Sequence, residues 1–143
     1  MIESHKIRIL IADDFKTLRD VIRLYLARAA DMDCIGEAIQ LDQAVERAKE
    51  LQPDVVIMND YLPPLDSAHA AELFRGHGIP AKIVSISMQV EADLIRRSLE
   101  HGVEGYLHKD EIDRYLLDAI RSVHRGERFL SPKAQSAYDT IQG

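Results

Sequence analysis

Pro53-Asp54-Val55-Val56-Ile57-Met58-Asn59-Asp60 is the stretch on which the fold turns. Pro53 ends any helix before it, and residues 55–58 are apolar without a break. An apolar run this short, with no polar alternation, reads as a strand covered on both faces, in the middle of a parallel sheet. Asn59 and Asp60 then stand at its carboxyl end, where open α/β sheets bind their ligands.

Outward from this strand the chain alternates short apolar runs with helical periods. Upstream, residues 7–12 (IRILIA) are a strand, and Phe15, Leu18, Ile22, Tyr25, Leu26 and Ala29 recur at helical spacing. A weaker strand (34–38) and a helix (41–51) lead back to Pro53. Downstream, Asp66 can N-cap a helix over 67–74 that ends at Gly76-His77-Gly78. Strands over 82–86 and 105–107 flank a helix over 91–100. Ile112, Leu116, Ala119, Ile120 and Val123 form the stripe of a last helix. Five strands and five helices in strict alternation, with short right-handed connections, predict a doubly wound parallel sheet. Residues 1–128 make this domain. Residues 129–143 are polar, with Pro132 near their start, and read as the beginning of a linker or tail.

At 143 residues, 46% hydrophobic and 29% charged, the chain is sized for one domain with a core. Lys and Arg number 18 against 24 Asp and Glu, a net charge of -6 that offers no positive footprint for nucleic acid. No apolar run approaches the ~20 residues of a membrane span. Residues 1–6 lack the basic and apolar segments of a secretory leader. A cytoplasmic location is therefore expected. The single Cys34 reads as a core residue rather than a reactive thiol. His5, His69, His77, His101, His108 and His124 show no metal-ligand spacing. A Rossmann dinucleotide site is excluded, because Asp13-Asp14-Phe15 replaces the glycine-rich turn after the first strand. The same start lacks the hydroxyl-rich loop that a flavin phosphate wants.

The strand ends deliver Asp13 and Asp14, then Asn59 and Asp60, then Ser87, then Lys109. Adjacent carboxylates suit a hard divalent cation such as Mg²⁺. A hydroxyl and an ammonium suit the oxygens of a phosphoryl group.

In order and spacing, residues 7–14 (IRILIADD), 53–63 (PDVVIMNDYLP), 83–88 (IVSISM) and 105–110 (GYLHKD) resemble the receiver domain of bacterial two-component response regulators. The resemblance runs to about Pro132. Gly36-Glu37-Ala38, GYLHKD and residues 129–132 (FLSP) are similar to the NarL/LuxR branch in particular. The resemblance implies the flavodoxin-like strand order 2-1-3-4-5 and a role in regulating transcription. The branch's helix-turn-helix DNA-binding domain is absent from this chain. It also implies a histidine kinase that phosphorylates an aspartate at the end of the third strand, with Mg²⁺ on the acidic pair. Ser87 and Lys109 would bind the phosphoryl oxygens, and Tyr106 would swing inward as the switch.

The acceptor position, however, holds Asn59, whose neutral amide is a poor nucleophile and removes a charge from the metal site. Mg²⁺ binding through Asp13, Asp14 and Asn59 should be weak. Asp60 is the alternative acceptor, but strand alternation turns it away from the crevice. An introduced Asn in place of an aspartate is another alternative. Pro64 and Ser67 also stand where the family usually has glycine, and Ile39-Gln40-Leu41 replaces a small polar turn. The reading is an atypical, phosphorylation-independent receiver working by protein contacts, as a homodimer through helix five, where Tyr115, Leu117 and Phe129 are the apolar residues left over.

Overall fold

The computed structural model describes residues 5–142. Residues 1–4, read above for a secretory leader, and residue 143 of the tail lie outside the described residues. In chain order the elements are β1 (Ile7–Ala12), α1 (Lys16–Ala27), β2 (Met32–Ala38), α2 (Leu41–Leu51), β3 (Val55–Asn59), β4 (Tyr61–Leu62) and β5 (Leu65–Asp66). They continue as α3 (Ser67–Gly76), β6 (Lys82–Ser87), α4 (Ala92–Glu100), β7 (Gly105–His108), α5 (Ile112–His124), β8 (Phe129–Leu130) and α6 (Pro132–Gln142).

The main sheet is parallel in the order β2-β1-β3-β6-β7-β8, with β4 and β5 forming a separate two-stranded turn beyond β3. Its first five strands reproduce the expected order. β3 lies between β1 and β6, and its apolar residues are all buried. Alternation divides the core into two faces. Ile9, Ile57 and Ile86 meet Ile22 of α1 and Leu116 and Ile120 of α5 on one face. Leu10, Val56 and Met58 meet Ala44 of α2 and Phe74 of α3 on the other. α2 stops where Gln52 takes a left-handed conformation, φ 52°, before Pro53. Asp66 caps α3 by accepting from the His69 N–H at 3.0 Å.

The boundary at 128/129 is a correction. Residues 129–142 do not leave the domain: they add a sixth strand and a sixth helix. β8 pairs with β7, and α6 lies over β7 and beside α4. Ser131 caps α6, its Oγ accepting from the Ala134 N–H at 3.3 Å, with Pro132 at the first helical position. Ala134 is wholly buried with Ile95 and Tyr106, and Leu130, Ala137 and Tyr138 pack around them. The polar average of the segment concealed this apolar stripe. Phe129 and Tyr115, expected to be left over, face each other with ring centroids 6.3 Å apart.

Ala134→Glu places a charge where Ala134 has no exposed surface. It should destabilise the domain by roughly 2–4 kcal/mol, seen as a lower urea midpoint. A free linker would give no change.

Candidate functional site

Five of the residues singled out above, Asp14, Asn59, Ser87 and Lys109 with Asp13 beneath them, come together at the carboxyl ends of β1, β3, β6 and β7. Asp14, Asn59, Ser87 and Lys109 line one crevice of about 640 Å³. Asp13 is buried. Its Oδ1 accepts from the Phe15 N–H at 2.7 Å, and its Oδ2 has no hydrogen-bond partner. Burial raises the Asp13 pKa, the Phe15 N–H opposes this, Asp14 adds to the rise, and the Asn59 carboxamide eases it without a well-formed hydrogen bond. Asn59 Oδ1 accepts from the Tyr61 N–H at 3.4 Å, so the amide nitrogen is the group left to face a carboxylate. Among the described residues, no three His, Cys, Asp or Glu side chains gather as a metal-holding group. Lys109 makes no ion pair among the described residues. The Ser87 hydroxyl is turned onto its own loop, accepting from the Gln89 N–H at 3.1 Å and donating to the Gln89 carbonyl.

Asp60 is on the opposite face. It shares the parity of Val56 and Met58, which point toward α2 and α3. Its Oδ1 accepts from Ser67 Oγ at 3.0 Å and Ser85 Oγ at 3.3 Å, and Ser98 Oγ lies 3.4 Å from Ser67 Oγ. Burial, the largest effect, raises the Asp60 pKa against the lowering by its hydroxyl neighbours. Tyr106 is fully buried beside this cluster. Its hydroxyl lies near Asp60 and Ser87 without a well-formed hydrogen bond, and burial pushes its pKa up.

The serine cluster and the walls of the crevice escaped the sequence reading. Phe15, Leu18, Val21 and Tyr25 come from α1 and its approach, Tyr61 from β4, Met88 from the loop after β6 and Ile112 from α5. Phe15, Tyr61 and Met88 are 67%, 56% and 65% exposed, among the most exposed large apolar side chains described. Their position immediately after strand-end polar residues was the available signal.

The Asp60 carboxyl has a folded pKa above its unfolded value. Its favourable contribution is therefore present below the ordinary carboxylate range and is lost as pH rises through the folded pKa. Asp60→Asn keeps the shape without the charge. It should raise stability at neutral pH by on the order of 1 kcal/mol, read as a higher melting temperature, with the gain shrinking toward pH ~4. A lower melting temperature at neutral pH would mean that the serines over-compensate the burial.

A family profile of the response regulator receiver domain matches residues 9–121. The response regulator protein VraR of Staphylococcus aureus is 28% identical over 127 residues, covering 89% of this chain; the chain spans 61% of that relative's length. Among solved structures, a LuxR-family two-component response regulator from Aurantimonas sp. SI85-9A1 is 25% identical with a TM-score of 0.90, over 96% of this chain and 98% of that one. The signal receiver domain of the response regulator NarL from Mycobacterium tuberculosis is 26% identical with a TM-score of 0.81, over 86% and 99%.

Proposed function

The chain belongs to the response regulator receiver family, the signalling modules of two-component systems, and we propose that it is an atypical member that works by protein contacts without aspartyl phosphorylation. One observation carries this reading. The side chain that faces the crevice is the amide of Asn59, while the neighbouring carboxylate of Asp60 is turned to the other face and held by Ser67 and Ser85. An amide nitrogen or oxygen is too weak a nucleophile to form an acyl phosphate from a phosphohistidine donor. For Asp60 to act instead, it would have to leave two hydroxyl donors and cross the strand.

Receiver domains generally bind Mg²⁺ at the acceptor site. Here Asp13, Asp14 and Asn59 are the residues that would hold it. The buried, unpartnered Asp13 Oδ2 suits a hard cation. Two carboxylates and an amide make a weaker set than three carboxylates. When bound, the ion would supply positive charge for oxygen ligands; Asp13 and Asp14 would position it, and Lys109 and Ser87, which line the same crevice, would be the further groups for those oxygens. In the whole protein we propose a cytoplasmic module that regulates transcription through a DNA-binding domain, as the LuxR-family likeness suggests, with a histidine kinase or another regulatory protein as an input partner.

The output we propose is a homodimer through α5. The face of α4 and β7 is covered by α6, whereas Leu117 on α5 is only partly buried. Tyr115 and Phe129 spend part of their surface on each other, so Leu117 is the stronger anchor.

Incubated with acetyl phosphate and Mg²⁺, the protein should gain no mass, whereas Asn59→Asp should gain one phosphoryl group and bind Mg²⁺ about ten-fold more tightly. A gain on the unaltered protein that Asp60→Ala abolishes would replace this reading with Asp60 as acceptor.

Light scattering over a concentration series should give a dimer without phosphate, and Leu117→Glu should shift it to monomer. A strict monomer would remove α5 as an output surface.

A further inference from the structure

We propose that the crevice beneath Asn59 is a binding site for a small amphipathic cation: a flat aromatic body carrying a protonated amine. The cavity of about 640 Å³ lies in the range of small-molecule sites and is far larger than a hydrated metal ion needs. Much of its wall is apolar, beside the polar residues of the strand ends. Leu18 and Ile112 close it from α1 and α5, and Phe15, Tyr61 and Met88 stand around it with more than half of their surface exposed. Isolated exposed apolar residues are ordinary, but three from separate segments facing one cavity are not. A phosphoryl group and its ion call on the polar side chains at the strand ends and leave this apolar surface without a use. Aromatic and thioether walls suit a planar ring.

The head group follows from charge. Asp14 and Asp113 line the cavity and make no ion pair among the described residues. Asp13 lies below them, with Oδ2 buried and unpartnered. Asp110, also lining, is compensated by Lys133 at 3.5 Å. Against these three carboxylates stand Lys109 and, beside Asp13, Arg19, whose charge is shared with Glu37 at 3.1 Å. The balance is negative, and an ammonium beside Asp13 and Asp14 would take the place that Mg²⁺ would otherwise hold. Asn59 keeps the shape of a carboxylate without its charge, so that end loses one anionic ligand for a metal ion while its amide oxygen, which accepts only a long 3.4 Å hydrogen bond from the Tyr61 N–H, remains an acceptor for a head group.

The inference rests on the reading that this crevice takes no phosphoryl group. Acetyl phosphate and intact mass decide that reading separately, so either can fail without the other. The probe for the present inference is tryptamine, with 3-(indol-3-yl)propanoic acid as its anionic counterpart. The protein contains no tryptophan, so indole fluorescence anisotropy reports the probe alone. Tryptamine should bind saturably, with the acid at least about ten-fold weaker. Saturating Mg²⁺ should weaken tryptamine by competition. Tyr61→Ala and Asp14→Asn, both at exposed positions that leave the core intact, should each weaken it by about ten-fold. Flat anisotropy, equal binding of the acid, indifference to Mg²⁺, or unchanged affinity in both variants would each overturn the proposal.

Discussion

Side chains along a strand alternate, and at the end of β3 that rule sets Asn59 and Asp60 back to back. Much of what is unusual about this receiver follows. One neighbour must face the crevice and the other must enter the layer between the sheet and α3 and α4. The chain places the amide outward and the carboxylate inward. A carboxylate in that layer is tolerated only with donors around it. Ser67, Ser85 and Ser98 supply hydroxyls there, from α3, β6 and α4 respectively. Ser67 stands where the family usually has glycine, and its hydroxyl is 3.0 Å from Asp60. That departure, unexplained in the sequence, is thus the partner of the inward carboxylate.

On the crevice side the same placement lowers the local negative charge. Asp13 keeps a buried oxygen without a partner, an acceptor that a positive group would satisfy. The apolar walls matter because they exclude water from around such a charge, which strengthens its interactions. Two acids under an aromatic rim therefore ask for a ligand with both a charge and an apolar surface, whereas two acids in open water would ask only for an ion.

The sheet and its helices were legible because their signals are local. Four apolar residues after Pro53 name a central strand, and Ile112, Leu116, Ala119, Ile120 and Val123 name a buried helical stripe. The strand ends were legible too, since a parallel sheet brings them to one edge. The crevice walls were not, because Phe15, Tyr61 and Met88 are scattered over more than half of the chain and each alone is an unremarked loop residue. The C-terminal segment was misread for a different reason. A proline near the start of a polar segment reads as a linker, although after Ser131 it is a helix start. Ala134, Ala137, Tyr138 and Ile141 then recur at helical spacing, and small alanines carry little weight in a hydrophobic count while fitting closely over a tyrosine ring.

That fit joins α6 to the carboxyl end of the sheet. The Tyr106 ring packs with Ile95 and Ala134, its carbonyl accepts from the Ser131 N–H at 3.1 Å, and its hydroxyl lies by Asp60 and Ser87. Moving the ring outward would vacate a buried aromatic site and displace α6 together. Emptying such a site costs about 3–5 kcal/mol. Carrying a two-state equilibrium from 1:99 to 99:1 takes roughly 5.5 kcal/mol. The two are of similar size, and the packing of Ile95 and Ala134 on the ring acts in favour of the buried position of Tyr106. A ligand in the crevice can then shift that state only through contacts that differ between the two ring positions. Ser87, which lines the crevice and neighbours the Tyr106 hydroxyl, is where such a difference can arise, and α6 is where it would be felt.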